Sequence, residues 1–219
     1  MKDRYKNGIF SYKDLLPIKA GHTLSLNLSR DGDKNIYLFG LAKGTDISEE
    51  LYENKSLYIN LDGSVRIGDH RLISNEAIFS GDLNSYAIFA DEDSYLLEIS
   101  YNNISYNNKE DKMLKLENMG QVFSLKDVIT YLDGGISNYD VFSRDDLKIV
   151  LMAFDAGEGL TPHIAPGDAL IFALEGEADM EVGDEIHRIK AGEQIVFPKG
   201  VRHNVTAVTK FKMALILVK

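Results

Sequence analysis

Cysteine is absent from the 219-residue chain, which excludes disulfides, thiolate zinc sites, iron–sulfur clusters and a thiol nucleophile. Histidine and the carboxylates are left as the strong metal ligands, and there are five histidines. Positive charge is also short, with 24 Lys and Arg against 34 Asp and Glu for a net charge of −10. That is the wrong sign for a chain that would bind by neutralising phosphates, so nucleic acid and anionic membranes are not expected partners. No apolar run approaches the roughly 18 residues of a membrane-spanning helix. The charged start MKDRYK at 1–6 lacks the roughly 7–15-residue apolar core of a signal peptide, and a cytoplasmic protein is expected. What is present, 44% hydrophobic and 26% charged residues, suits a globular protein that buries a core.

The chain repeats itself. FSYKDL at 10–15 recurs as FSLKDV at 123–128, an offset of 123 − 10 = 113 residues. At the same offset IYLFGLAKG (36–44) lies over IVLMAFDAG (149–157), and LYINLDG (57–63) over LIFALEG (170–176). A few extra residues then enter the second copy, where VGD (182–184) matches IGD (67–69) and QIVF (194–197) matches EAIF (76–79). A period of this size is a duplicated domain rather than a solenoid array. The domains expected are residues 1–100 and 115–219, joined by a polar, Asn-rich linker at 101–114.

Short β-type runs separated by turn residues point to an all-β sandwich or barrel. In the second copy the strands expected are 148–154, 169–174, 178–182, 185–190, 194–197, 204–207 and 211–218, with turns at Gly176, Gly183, Gly192 and Gly200. Ser124 followed by 125–132 and then Gly134-Gly135 is the best helix, with Ser as N-cap. Its counterpart at 11–16 is cut short by Pro17.

The segment TPHIAPGDALIFALEG (161–176), followed by GEQIVFPKGVRH (192–203), resembles the two-part signature of the cupin superfamily. Gly192, Pro198, Gly200 and His203 fit its second part. In the first part His163 and Gly176 match, while the second His and the Glu fall on Ala165 and Ala169. The resemblance implies two cupin-type antiparallel β-barrels, a double-stranded β-helix or jelly roll, as in a bacterial bicupin. It also implies a site inside the carboxy-terminal barrel and pairing into homodimers. The nearly continuous apolar run FKMALILV (211–218), which must be covered on both faces, is consistent with such pairing.

Cupin sites hold Zn, Ni, Mn or Fe on three His and one carboxylate, a set suited to borderline metals. The ligands expected here are His163 and His203, with Asp168 as a weak third candidate, since strand alternation turns it away from the histidines unless a bulge intervenes. By the same alternation Ala165, Ala169, Ile171 and Ala173 line the interior with His163. His187 is expected to face solvent. In the first copy the offset carries His163, Ala165 and Ala169 to Glu50, Tyr52 and Ser56, and His203 to a position near Ser85, so no metal is expected there. His22 and His70 read as surface residues. Three functions stay open: a small-molecule-binding protein, a metal-dependent isomerase, lyase or dioxygenase, and a structural module in which His163 and His203 are a hydrogen-bonded pair.

Overall fold

The structure, a computed structural model, describes residues 9–28, 36–52, 55–81, 85–101, 112–113, 120–143 and 147–218. Residues 1–8 and most of the expected linker at 101–114 lie outside them. The first copy forms α1 (Tyr12–Leu15), β1 (Thr23–Asn27), β2 (Ile36–Leu41), β3 (Asp46–Leu51), β4 (Lys55–Asp62), β5 (Ser64–Ile67), β6 (His70–Ile73), β7 (Glu76–Phe79), β8 (Ser85–Ala90) and β9 (Ser94–Tyr101). After β10 (Lys112–Met113) and β11 (Phe123–Ser124) come α2 (Leu125–Val128), β12 (Ile136–Ser143), β13 (Leu147–Phe154), β14 (His163–Ile164), β15 (Asp168–Glu175) and β16 (Glu177–Val182). β17 (Glu185–Lys190), β18 (Gln194–Phe197), β19 (Arg202–Ala207) and β20 (Phe211–Val218) complete the chain.

These elements make two compact units, here unit 1 and unit 2. Unit 1 contains a six-stranded sheet, β1-β2-β9-β4-β7-β11, and a four-stranded one, β3-β8-β5-β6. Unit 2 repeats the plan with β10-β12-β13-β20-β15-β18 and β14-β19-β16-β17. All pairings are antiparallel. The core of each unit lies between its two sheets. In unit 2 Ala169, Ile171, Phe211 and Met213 of the larger sheet meet Ala178, Met180, Ile189 and Val205 of the smaller. In unit 1 Leu41, Tyr58, Ile78 and Leu96 meet Val65, Ile67, Leu72 and Ile88. Each fully buried Leu, Ile, Phe or Met stabilises by on the order of 1.5–3 kcal/mol.

The repeat extends to irregularities. Pairing to the last strand slips between Asn60 and Asp62 in unit 1, and between Ala173 and Glu175 in unit 2, one bulge at corresponding positions. Gly63 and Gly176 follow it with φ of 77° and 76°. A Cβ there would lie 2.3 Å from the Asp93 carbonyl oxygen and 1.9 Å from that of Lys210, so both the backbone angle and the space demand glycine.

Neither unit is a continuous stretch of chain. Phe123 and Ser124 pair with Ala77 and Glu76 and so extend the sheet of unit 1. Phe10, their counterpart in the repeat, bridges Gln194 at the matching edge of unit 2, with backbone hydrogen bonds of 3.0 and 3.2 Å.

One expectation needs correction. The helix after Ser124 ends at Val128 rather than Leu132, because the β-branched run Val128-Ile129-Thr130 resists helical continuation. β20 sits between β13 and β15, paired along both sides, and both of its faces are buried within the chain, Phe211 and Met213 on one and Ala214 and Ile216 on the other.

Candidate functional site

The turn 198–201 sets up one end of unit 2. Val201 N–H bonds the Pro198 carbonyl at 3.1 Å, Gly200 has a φ of 78°, and the chain enters β19 pointing His203 inward. Across the strand pair His163 stands directly opposite His203. The two rings meet edge to face, with centroids 4.5 Å apart. On the other side of His203 the Phe197 ring stacks at 4.3 Å. His203 is 3% exposed, whereas His163 is exposed.

Each ring is oriented by its own backbone. His163 Nδ1 lies 2.9 Å from the Thr161 carbonyl, and His203 Nδ1 lies 2.9 Å from that of Val201. A carbonyl only accepts, so both Nδ1 atoms carry the hydrogen and both Nε2 atoms present a lone pair. Burial lowers the pKa of His203, the Val201 carbonyl partly offsets this, and His163 lowers it further. The site therefore presents two imidazole Nε2 atoms, one at the surface and one against an aromatic floor.

The remaining candidates fall in different places. Ala169, Ile171 and Ala173 lie on the inward face of β15 at 1%, 0% and 3% exposure, packed into the closed core of unit 2. Ala165 is buried beside the 198–201 turn, where its carbonyl takes the Gly200 N–H at 3.4 Å. Asp168 is engaged elsewhere, its Oδ1 accepting the Lys199 N–H at 2.8 Å. Among the described residues no three His, Asp or Glu gather closely enough to hold a metal ion.

His187 departs from expectation. It shares the inward alternation of Ile189, opposite Met180, with its side chain 19% exposed and 3.4 Å from Glu185. Parity set by the core residue Ile189, not polarity, decided its direction. His22 is exposed with Nδ1 2.9 Å from the Ala20 carbonyl, and His70 lies at the start of β6.

Unit 1 carries a different set at the same place. Glu50 pairs with Tyr86 where His163 pairs with His203, so the counterpart of His203 is Tyr86 rather than Ser85. The one-residue difference changes which side chain faces the interior. Tyr52 stacks on Tyr86 at 4.3 Å. The Tyr86 hydroxyl lies 2.8 Å from that of Tyr58, and Tyr58 donates to Glu98 Oε1 at 2.8 Å. Ser56 donates to the same oxygen at 2.9 Å. Burial, then Glu98, push the Tyr58 phenol far above its ordinary range. Tyr58, Tyr86 and Glu98 were not singled out from the sequence. The available signal was Glu98 itself, the one acid in the otherwise apolar stretch YLLEI at 95–99.

A family profile described as Cupin domain matches residues 150–219. Among solved structures the chain is similar to a Cupin 2 conserved barrel domain protein from Leptotrichia buccalis, at 27% identity over 98% of this chain and 99% of that one, with a TM-score of 0.81. It shares its fold, at 11% identity, with a salicylate 1,2-dioxygenase from Pseudoaminobacter salicylatoxidans over 96% of this chain and 83% of that one, with a TM-score of 0.66. A form of that enzyme in complex with gentisate matches at 11% identity over 96% and 81% of the two chains, with a TM-score of 0.64. Among curated proteins no match is found.

Proposed function

The chain belongs to the cupin superfamily, and from that premise we propose that unit 2 binds a small hydroxyl-bearing organic molecule at the end of its interior, between His163 and His203. One observation carries the reading: two adjacent imidazoles whose Nδ1 atoms are taken by backbone carbonyls, leaving both Nε2 atoms as acceptors. A ligand hydroxyl or amine donates to them, while Phe197, stacked under His203 in the core, holds that ring in place. This is the usual form of a small-molecule site, a few convergent polar groups in an apolar wall.

The residues present do not match the metal centre implied by the superfamily. Two of its four ligand positions are the methyl groups of Ala165 and Ala169, and Asp168 already serves the Lys199 N–H. Two imidazoles fall below the roughly three protein ligands of a catalytic zinc site, so the donor set does not fit a resident Zn, Ni, Mn or Fe. A metal added in excess is expected to leave on dialysis.

The deciding experiment is metal analysis by mass spectrometry of tag-free protein, together with an NMR screen of polyols and hydroxylated aromatics read at the imidazole resonances. Metal-free protein whose His163 and His203 signals shift on ligand addition is the expected result. Near-stoichiometric metal surviving dialysis would replace it with the metal-dependent enzyme, and silence at both histidines across the screen would leave the structural module. A homodimer remains an expectation of family likeness alone, and a monomer mass in light scattering at micromolar concentration removes it.

A further inference from the structure

We propose that the interior of unit 1 is a second and chemically distinct binding site, which takes a small organic cation of the ammonium type. The proposal is independent of the site in unit 2.

Its first support is a substitution the fold does not require. Tyr37, Glu98 and Tyr58 stand side by side across β2, β9 and β4. The corresponding row of unit 2 is Val150, Leu215 and Ile171. The same strand order thus closes over an apolar row, and unit 1 places a carboxylate between two phenols instead.

The second support is that this carboxylate has no counter-charge among the described residues. Glu98 is half-buried, and one oxygen receives the hydroxyls of Tyr58 and Ser56. No lysine, arginine or histidine among the described residues forms an ion pair with it. Removing an ionised carboxylate from water is costly, and two hydroxyls only partly compensate.

Third, the surroundings are electron-rich. Tyr52 and Tyr86 stack with planes 15° apart, and Tyr58 meets Tyr86 edge-on at 5.9 Å. Ring faces carry negative potential and attract ammonium groups. Hydrogen-bond direction agrees. Tyr58 has one proton and gives it to Glu98, so Tyr86 must donate to Tyr58. The phenol protons of this pair therefore run inward to the carboxylate, and an anionic ligand finds no donor from them.

Last, the cluster has a wet side. Tyr58 and Tyr86 are 0% and 3% exposed, Tyr37, Tyr52 and Glu98 are half-buried, and Glu49 and Glu50 on β3 are exposed. A net charge of −10 draws cations toward such a partly exposed carboxylate.

The test titrates the full-length protein with choline and, separately, with 3,3-dimethyl-1-butanol, its neutral isostere, by NMR of the tyrosine rings and by calorimetry. The chain has no tryptophan, so tyrosine emission gives a further readout. Choline should saturate in the millimolar range, shift the Tyr52 and Tyr86 rings, and bind at least about tenfold more tightly than the isostere. Glu98→Gln, which keeps the shape and removes the charge, should weaken choline by about tenfold with little effect on the isostere. Equal affinity for the two probes would mean that the site reads shape or hydroxyls, and would overturn the proposal. So would the absence of saturable choline binding to folded protein, or shifts confined to other tyrosines. If Glu98→Gln fails to fold, Tyr52→Leu at the half-buried ring carries the same expectation, and the comparison of probes on the unaltered protein needs no variant.

Discussion

Burial holds the His203 ring neutral, and a stability cost at acid pH follows. In the unfolded chain the ring takes up its proton near about pH 6.5, while in the folded protein it does so only at lower pH. Between those two values the unfolded state binds more protons, so stability is full above the unfolded pKa and falls as pH drops through the window. Urea denaturation at a series of pH values should show this fall, and His203→Gln should flatten it; an unchanged slope would mean that another group titrates there. Ligand binding follows the same proton. A hydroxyl donor at Nε2 should bind more weakly as pH falls through the lowered pKa of His203, whereas an anion held by imidazolium would tighten. The histidine pair was legible because the spacing 192–203 is a strong signal and strand parity made the inward direction computable. Tyr86 and Glu98 were not, since their meaning arises from cross-strand pairing, and a one-residue shift in register pointed to Ser85 instead.

At the scale of the strand and the turn, local chemistry was a better guide. The runs 185–190, 194–197 and 211–218 form strands over those same spans, because apolar alternation and flanking glycines agree at every level. The helix after Ser124 was over-read, since capping signals at both ends say nothing about β-branched residues between them. Gly176 shows how sharply one turn is specified. Gly176→Ala must hold a non-glycine residue at φ 76° and place its Cβ 1.9 Å from the Lys210 carbonyl oxygen. The left-handed angle alone costs about 1–3 kcal/mol, and relieving the contact adds to it. A lowered denaturation midpoint with unchanged m-value is expected, whereas Gly192→Ala, with nothing within 4 Å, should cost less.

At the scale of the whole molecule, the offset of 113 residues announced two copies of one topology. It could not announce which sheet edge each Phe-Ser segment would join. The two segments are nearly alike in sequence, and β7 and β18 occupy the same place in their sheets, so local pattern is indifferent between the near edge and the far one. The structure resolves the choice crosswise: Phe10 closes unit 2 and Phe123 closes unit 1. A chain cut once within the linker is therefore expected to stay together. Fragments 1–106 and 107–219 produced side by side should co-purify, and fragment 107–219 alone should be less stable than when its partner is present; two halves that separate freely would show the crossed strands to be dispensable. Crossing also bears on dilution. Were each copy a separate polypeptide, the exchange would be a bimolecular reaction, lost as the protein became scarce. Joined in one chain, it proceeds at an effective concentration set by the length of the connecting segment, independent of how many molecules are present.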